Sequence, residues 1–472
     1  MSKKFRVLIY LLFTLMYLPS VIWSRPWSDD FPMYYERDNV SAQVLRDSRP
    51  LYSLLINFFG TLGLSIDFEM RLLRLVSFLF LGLIYLSATK LMQHNSGILA
   101  ILLGFALPAM HFVVNWATGF IYAITMFLSW FGFHFIIYNT TVFRKGLGSA
   151  LLICAWLSYP PLALFGLCRI IIMLLDNDSR KPKLFIDLTK NKTIFYVYLT
   201  IPVTALISYI ISVLMIEGVS TTQSSRTKII SLDLDSVKAQ SIWFFSRPLV
   251  LMFYPFKIER PDTLLNFVVI LIVVGLYIFG LFQITSREKR IHVFICSILP
   301  IGIFFPIDYN QVELRFFIAS QFCVLLVLVY GIARRADASI LIDKTRKMFV
   351  LVTLFIAVIL FNNRWYQDVY SPQMARDRFI TSQITSCIDE KGRFNNAIYI
   401  EPRTRDWEDH NRIGVFSQQT DLQSEWVPKY AVKRITETLF RQDIVIEFQH
   451  NINVKELRQV CTIKLDNYPQ GN

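Results

Sequence analysis

From residue 6 to residue 361 the chain alternates between long apolar runs and short polar segments, most runs being long enough for a helix to cross the ~30 Å hydrocarbon layer. The pattern predicts eleven membrane spans, at about 6–23, 71–89, 97–114, 117–138, 147–158, 161–175, 193–216, 263–285, 293–307, 316–332 and 348–361. The fifth and sixth are short and meet at Ser158-Tyr159-Pro160-Pro161. Irregular backbone at that depth must be buried in protein or line a wet cavity. The run LYSLLINFFGTLGLSI at 51–66 is expected to be an interfacial or re-entrant helix. Counted as a span, it would turn the basic segments SREKR and RRADASILIDKTRK to the outer side.

After residue 361 the pattern changes. Charged and amide residues become dense, and short β-rich runs such as NAIYI and DIVIEF alternate with helical stretches. This predicts a mainly α, polytopic membrane module over 1–361, with 24–70 as its first external loop, followed by a small extracytoplasmic α/β domain over 362–472. The latter has an ordinary domain size.

Composition agrees: 54% of residues are hydrophobic, only 18% are charged, and Phe occurs 40 times. The formal charge of +13 would suggest nucleic acid in a soluble chain. Here Lys and Arg concentrate in one set of loops instead. With the N-terminus inside, the internal segments hold 19 Lys and Arg in 60 residues and the external ones 11 in 101. That is the positive-inside asymmetry, and it puts the C-terminal domain outside. The first run lacks a small-residue cleavage site and reads as a retained span. Of six cysteines, Cys154, Cys168, Cys296 and Cys323 fall in apolar runs, where small-hydrophobe packing is their usual role, while Cys387 and Cys461 lie in the polar region and could pair if it is external.

Candidate chemistry clusters just beyond the first span, in SRPWSDDFPMYYERDN at 24–39. Adjacent side chains diverge in either a strand or a helix, so Asp29 and Asp30 rarely serve one atom. One is expected to function and the other to orient or pair, the residues themselves not ranking them. A partly desolvated carboxylate is a competent general base toward a hydroxyl; the plainer alternative is a solvated cap. Glu36, Arg37 and Arg49-Pro50-Leu51 follow, and a guanidinium fork suits phosphate oxygens as well as it suits interfacial anchoring. Arg315 at the mouth of the tenth span and Arg247 in a second Arg-Pro-Leu triplet are further candidate phosphate contacts. Tyr159 is expected to face the outer cavity, as a sugar- or prenyl-stacking group or a belt tyrosine. Arg169 reads as a snorkelling side chain or a structural ion pair, and His111 and Asn115 as interhelical contacts beside Trp116. Two carboxylates and a phosphate oxygen would also suit Mg2+ or Mn2+, and the residues leave metal use open. The motifs HExxH, CxxC and GxxxxGK[ST] do not occur.

A first span ending in an aspartate pair, followed some twenty residues later by Arg-Pro-Leu, resembles the membrane glycosyltransferases of the GT-C superfamily. Within it the chain is most similar to the serotype-converting O-antigen glucosyltransferases of the GtrII type. The likeness extends to the many spans, the large first external loop, the C-terminal domain, the hairpin PAMHFVVNWATGFIYAITMF and the SYPP break. Ser48 stands where such proteins often have Gly, and Phe31 where Trp often follows the aspartates. The resemblance implies an inner-membrane enzyme that inverts at the sugar. It would move glucose from a polyprenyl-phosphate donor to lipid-linked O-antigen on the periplasmic face, with a donor-synthesising enzyme and a donor flippase as partners. Asp29 or Asp30 would then be the base, and Glu36, Arg37, Arg49, Tyr159, Arg247 and Arg315 would bind substrate. DWEDH at 406–410 and Trp365 are expected to face glycan. The rival readings are a lipid-linked glycan transporter and an O-antigen polymerase or ligase. Repeated hydropathy halves, which a transporter would show, are not visible.

Overall fold

The computed structural model describes residues 3–26, 30–91, 95–107, 110–138, 141–176, 191–216, 233, 235–242, 263–302, 317–337, 343–386, 397–401, 426–437, 445–448 and 461–464. The molecule is mainly helical. Helix α1 (Lys3–Trp23) takes up the first apolar run and stops before Ser24-Arg25-Pro26, where a proline disfavours helical backbone in the residue ahead of it. The first polar loop folds into three short helices, α2 (Asp30–Tyr35), α3 (Arg37–Arg46) and α4 (Pro50–Gly60). Pro50 opens α4, where its missing N–H costs nothing. Eleven residues rise only about 16 Å, so α4 cannot cross a bilayer, as the charge pattern expects.

Next come α5 (Ile66–Leu91), α6 (Asn95–Phe105), α7 (Met110–Asn115), a 3-10 turn (Ala117–Gly119), α8 (Phe120–Tyr138) and α9 (Val142–Ser158). A second 3-10 turn (Pro160–Leu162) leads to α10 (Leu167–Asp176) and α11 (Asn191–Ile216). Residues 235–242 form α12. The remaining bundle helices are α13 (Thr263–Phe282), α14 (Arg287–Gly302), α15 (Ile318–Asp337) and α16 (Asp343–Trp365). Through a π-turn (Tyr366–Tyr370) the last of these runs on into α17 (Ser371–Thr385). Three stretches, Ile66–Leu91, Ala117–Tyr138 and Ile194–Ile216, are long and apolar enough to cross a membrane, which marks the chain as a membrane protein. Four more expected spans coincide with shorter apolar stretches, Val7–Trp23, Pro160–Leu175, Ile270–Phe282 and Ile318–Ile332. The expected third span differs: 97–114 comprises α6 and α7, each too short to cross alone.

Small residues let the helices approach closely. A Cβ on Gly148 of α9 would lie 2.7 Å from the Gly132 carbonyl oxygen of α8, and one on Gly331 of α15 would lie 2.4 Å from Gly280 Cα of α13. The SYPP break is buried in protein. Ser129 of α8 donates its hydroxyl to the Ala163 carbonyl at 2.6 Å and accepts the Gly166 N–H at 2.8 Å. One side chain thereby satisfies two backbone groups that the interrupted helix leaves over. A Cβ on Gly166 would stand 2.4 Å from the Ser129 carbonyl oxygen, so only glycine permits this approach. Cys168 and Cys323 are buried and free with their sulfurs 3.4 Å apart, Cys296 is buried and free, and Cys154 is half-buried. Cys387 lies outside the described residues.

In the C-terminal part three short strands, β1 (Ala397–Glu401), β2 (Val445–Phe448) and β3 (Cys461–Lys464), pair in the order β2-β1-β3. Both pairings are parallel, with Ile398 opposite Ile446 on one side and Cys461 on the other. Parallel neighbours need a crossover, and α18 (Trp426–Ile435) lies between β1 and β2 in the chain. The runs NAIYI and DIVIEF hold β1 and β2.

Candidate functional site

Asp30, the first residue of α2, is fully buried. Its partner is Arg74, just over two turns into α5 and equally buried, with Arg74 Nη2 donating to Asp30 Oδ2 at 2.9 Å. The other carboxylate oxygen, Oδ1, accepts the Thr118 backbone N–H at 3.1 Å. The guanidinium also donates to three carbonyls: Nε to Asn115 at 2.8 Å, Nη1 to Ser24 at 3.0 Å and Nη2 to Arg25 at 2.7 Å. A buried guanidinium is tolerable only when its donors are used in this way. The fork thus ties the end of α1, the start of α2, the end of α7 and the following 3-10 turn to the membrane helix α5. Asp29, in the segment between these anchored ends, lies outside the described residues, as do Arg247 and Arg315.

A second group gathers at the same 3-10 turn. Tyr52 of α4 donates its hydroxyl to the Thr118 carbonyl at 3.2 Å and meets Phe120 edge-on. Arg49, ahead of α4, lays its guanidinium over the Tyr159 ring at 4.8 Å, a cation–π contact. Tyr159 in turn packs against Tyr122, with ring centroids 4.5 Å apart. The structure therefore brings Arg49 and Tyr159 together across about 110 residues of sequence. Tyr159 is fully buried, its ring against Arg49 and Tyr122. Ser48, joining α3 to α4, adopts φ +62°, the left-handed conformation that glycine takes without cost.

Arg37 and Glu36 have partners within the chain. Both carboxylate oxygens of Glu69 accept from Arg37 Nη2, at 2.7 and 2.9 Å, and the Arg37 side chain lies so close over Gly60 that a Cβ there would collide with it. Glu36 accepts from the Tyr430 hydroxyl of α18. Around this bond the C-terminal helices dock on the first loop. Tyr35 stacks on Tyr430 with centroids 5.0 Å apart and donates to Glu437 at 2.9 Å. Burial and then the neighbouring Glu437 push the Tyr35 phenol well up, so it stays a neutral donor.

Asp67, at the start of α5, accepts from Arg434 Nε at 2.9 Å, and Arg434 Nη1 reaches Asp377 of α17 at 2.8 Å. Asp377 also binds Arg376 Nη2 at 2.9 Å. Burial alone would push the Asp377 carboxyl up, but the charges of Arg376 and Arg434 outweigh it and hold the group below the usual carboxylate range. Trp365 is buried, donates its indole N–H to Ser24 Oγ at 3.0 Å and stacks on Tyr370. DWEDH, the other stretch expected to face glycan, lies outside the described residues. Arg169 is neither snorkelling nor ion-paired among the described residues. It sits between the Trp130 and Tyr138 rings and bonds Ser87 Oγ at 3.1 Å and His134 Nδ1 at 2.6 Å. Asn115 accepts from Arg74 through its backbone carbonyl, a contact independent of its side chain.

Sequence reasoning missed Arg74, Gln373, Arg376 and Arg434. Arg74 carried a signal, being a charged residue in an apolar helix. The other three lie hundreds of residues from the loop they touch and carried none. As for a divalent metal, Asp30 is a poor ligand, because a guanidinium and a backbone N–H already engage its oxygens and the former repels a cation. No family model matches the chain, and no curated protein matches it.

Proposed function

We propose that the chain is an inverting glycosyltransferase of the bacterial inner membrane, taking glucose from a polyprenyl-phosphate carrier to a lipid-linked O-antigen glycan. In this reading the eleven apolar runs are spans, the third of them broken into α6 and α7, the N-terminus is cytoplasmic, and the first loop and the C-terminal α/β domain are periplasmic. The observation that carries the reading is the anchoring of Asp30 by Arg74 and Thr118 at the exit of α1. A carboxylate so engaged and closed off from water is a weak base and a strong anchor. In this reading Asp30 has the pairing role and Asp29 that of the base.

The reaction needs two things near one point. Asp29 accepts the proton of the acceptor hydroxyl as its oxygen bonds to the anomeric carbon. The bond from that carbon to the phosphate oxygen breaks, and the electron pair leaves with the lipid phosphate, inverting the centre. General-base assistance of this kind is worth ~10²–10⁴-fold. Arg49, held over the Tyr159 ring, supplies positive charge where the departing phosphate becomes more negative. Arg37, locked to Glu69, contributes by shaping the loop rather than by binding phosphate.

The test uses membranes supplied with polyprenyl-phosphate-glucose and acceptor glycan. Wild type should glucosylate the acceptor and Asp29→Asn should lose at least about 10²-fold in rate without a change in thermal stability. An Asp29→Asn variant as active as wild type would remove the proposed base.

A further inference from the structure

We infer that Arg169 of α10 anchors a second binding site, away from the first loop, which takes the phosphate of an anionic lipid headgroup between the ends of α5 and α8. Its existence does not depend on the transferase reading. Only the side of the membrane, the inner one, follows from the topology proposed above.

Arg74 and Arg169 are both buried in apolar helices, and their surroundings differ. Arg74 has the Asp30 carboxylate and three carbonyls on its donors. Arg169 is 2% exposed and meets no carboxylate among the described residues. The reason is visible in the sequence: no Asp or Glu occurs from residue 70 to residue 175, the stretch that forms α6 to α9 and most of α5 and α10. Asp176, the first acid after it, stands seven residues along α10, about 10 Å away by helical rise. The partners Arg169 does have are neutral. Nη1 bonds Ser87 Oγ of α5 at 3.1 Å, and Nη2 bonds His134 Nδ1 of α8 at 2.6 Å. A guanidinium only donates, so Nδ1 accepts and the imidazole carries no charge. The Trp130 and Tyr138 rings, with centroids 5.2 Å from the guanidinium carbon, favour the cation but bring no anion. Nε is buried without an acceptor.

A buried charge with no counter-charge is costly to keep, and a buried donor with no acceptor adds to the cost. Helices that had only to pack would carry an apolar residue here. The unused Nε and Nη2 form one edge of the guanidinium, and such an edge grips two phosphate oxygens at once. An anion on that edge displaces His134 and leaves the Ser87 bond in place. The way in lies between α5 and α8, where Ser87, His134 and Tyr138 are half-buried in front of Arg169. Leu79 and Leu83, four residues apart on the Ser87 face of α5, are exposed and offer an apolar strip for an acyl chain. Lys90, Arg144 and Lys145 lie at the same ends of the helices and within the same acid-free stretch, which favours an anionic headgroup over a neutral one. Free phosphate would need the cations but not the strip.

The test uses the purified full-length protein in a neutral detergent, with thermal melting followed as phosphatidylglycerol, phosphatidylcholine or inorganic phosphate is added. Phosphatidylglycerol should raise the wild-type melting temperature saturably, by about 3 °C or more, because a ligand of the folded chain stabilises it by mass action. Phosphatidylcholine should raise it clearly less, and inorganic phosphate not at all. Arg169→Met and Arg169→Gln, the second of which keeps a hydrogen-bonding group for Ser87, should both lose the phosphatidylglycerol shift. Arg287→Met, which removes an exposed cation at the start of α14, should respond as wild type does. Equal wild-type shifts with the two lipids, or a wild-type shift in a folded Arg169 variant, would overturn the site. A shift produced by inorganic phosphate alone would overturn the lipid as its source. Where neither variant folds, the wild-type comparison of the two lipids decides. Sugar transfer is not a readout, so failure here leaves the transferase reading standing.

Discussion

Asp30 and Arg74 carry opposite charges in a place that water does not reach, and the two aspartates therefore separate in what a substitution would do. Removing one partner of a buried ion pair leaves the other uncompensated, at a cost of about 3–5 kcal/mol. Arg74→Met also strips donors from the Ser24, Arg25 and Asn115 carbonyls. Both Arg74→Met and Asp30→Asn should lower the melting temperature and the yield of folded protein, in contrast to Asp29→Asn; fluorescence-detected melting in detergent would show whether the adjacent acids divide in this way. Aspartate pairing of this type was foreseeable from the adjacency of the two residues, because neighbours point apart. Which member pairs was not foreseeable, since the partner comes from another helix. Ser48 shows the converse case: its left-handed backbone was hidden in a sequence that has serine, and not glycine, at that position.

Among the elements, the break between α9 and α10 is the most informative. Two prolines announced it, and elementary physics left two possibilities, burial in protein or exposure to a wet cavity. Ser129 decides for burial by satisfying Ala163 and Gly166 together. Ser129→Ala would leave a carbonyl and an N–H without that partner in the apolar interior, costing about 1–3 kcal/mol for each unsatisfied group. The expected outcome is a lower melting temperature, while Ser149→Ala, whose hydroxyl only bonds back to the Lys145 carbonyl of its own helix, should melt as wild type does. The hydropathy pattern locates α5, α8 and α11 within a few residues. It merges α6 and α7 because apolar character continues from one into the other although the helix ends at Phe105.

At the scale of the whole molecule, the C-terminal helices grip the first loop through Arg434, which bridges Asp67 and Asp377. Asp377 titrates lower in the folded chain than in the unfolded one, despite its burial, because Arg376 and Arg434 favour the anion. A group with a depressed folded pKa contributes stability that is complete above the unfolded value, near 3.9, and is lost as pH falls through the folded one. Acidification through about pH 4 and below should therefore weaken docking of α17 and α18. Melting temperature against pH should fall more steeply for wild type than for Asp377→Asn, and equal slopes would remove Asp377 from the clasp.

The sequence by itself determined that this is a helical membrane protein, that its loops differ in charge, and that its chemistry-bearing residues gather beyond the first apolar run. These properties follow from hydrophobic length, charge and local backbone preference, all of which act over a few neighbouring residues. Only the tertiary structure decided that Asp30 is sealed against Arg74, that Arg49 rests on Tyr159, and that Gln373 of α17 bonds the Arg25 backbone. Each of these depends on a partner some 40 to 350 residues away. A directional hydrogen bond or ion pair between such groups exists only once packing has brought them within about 3 Å, and no local pattern records which distant donor will arrive there.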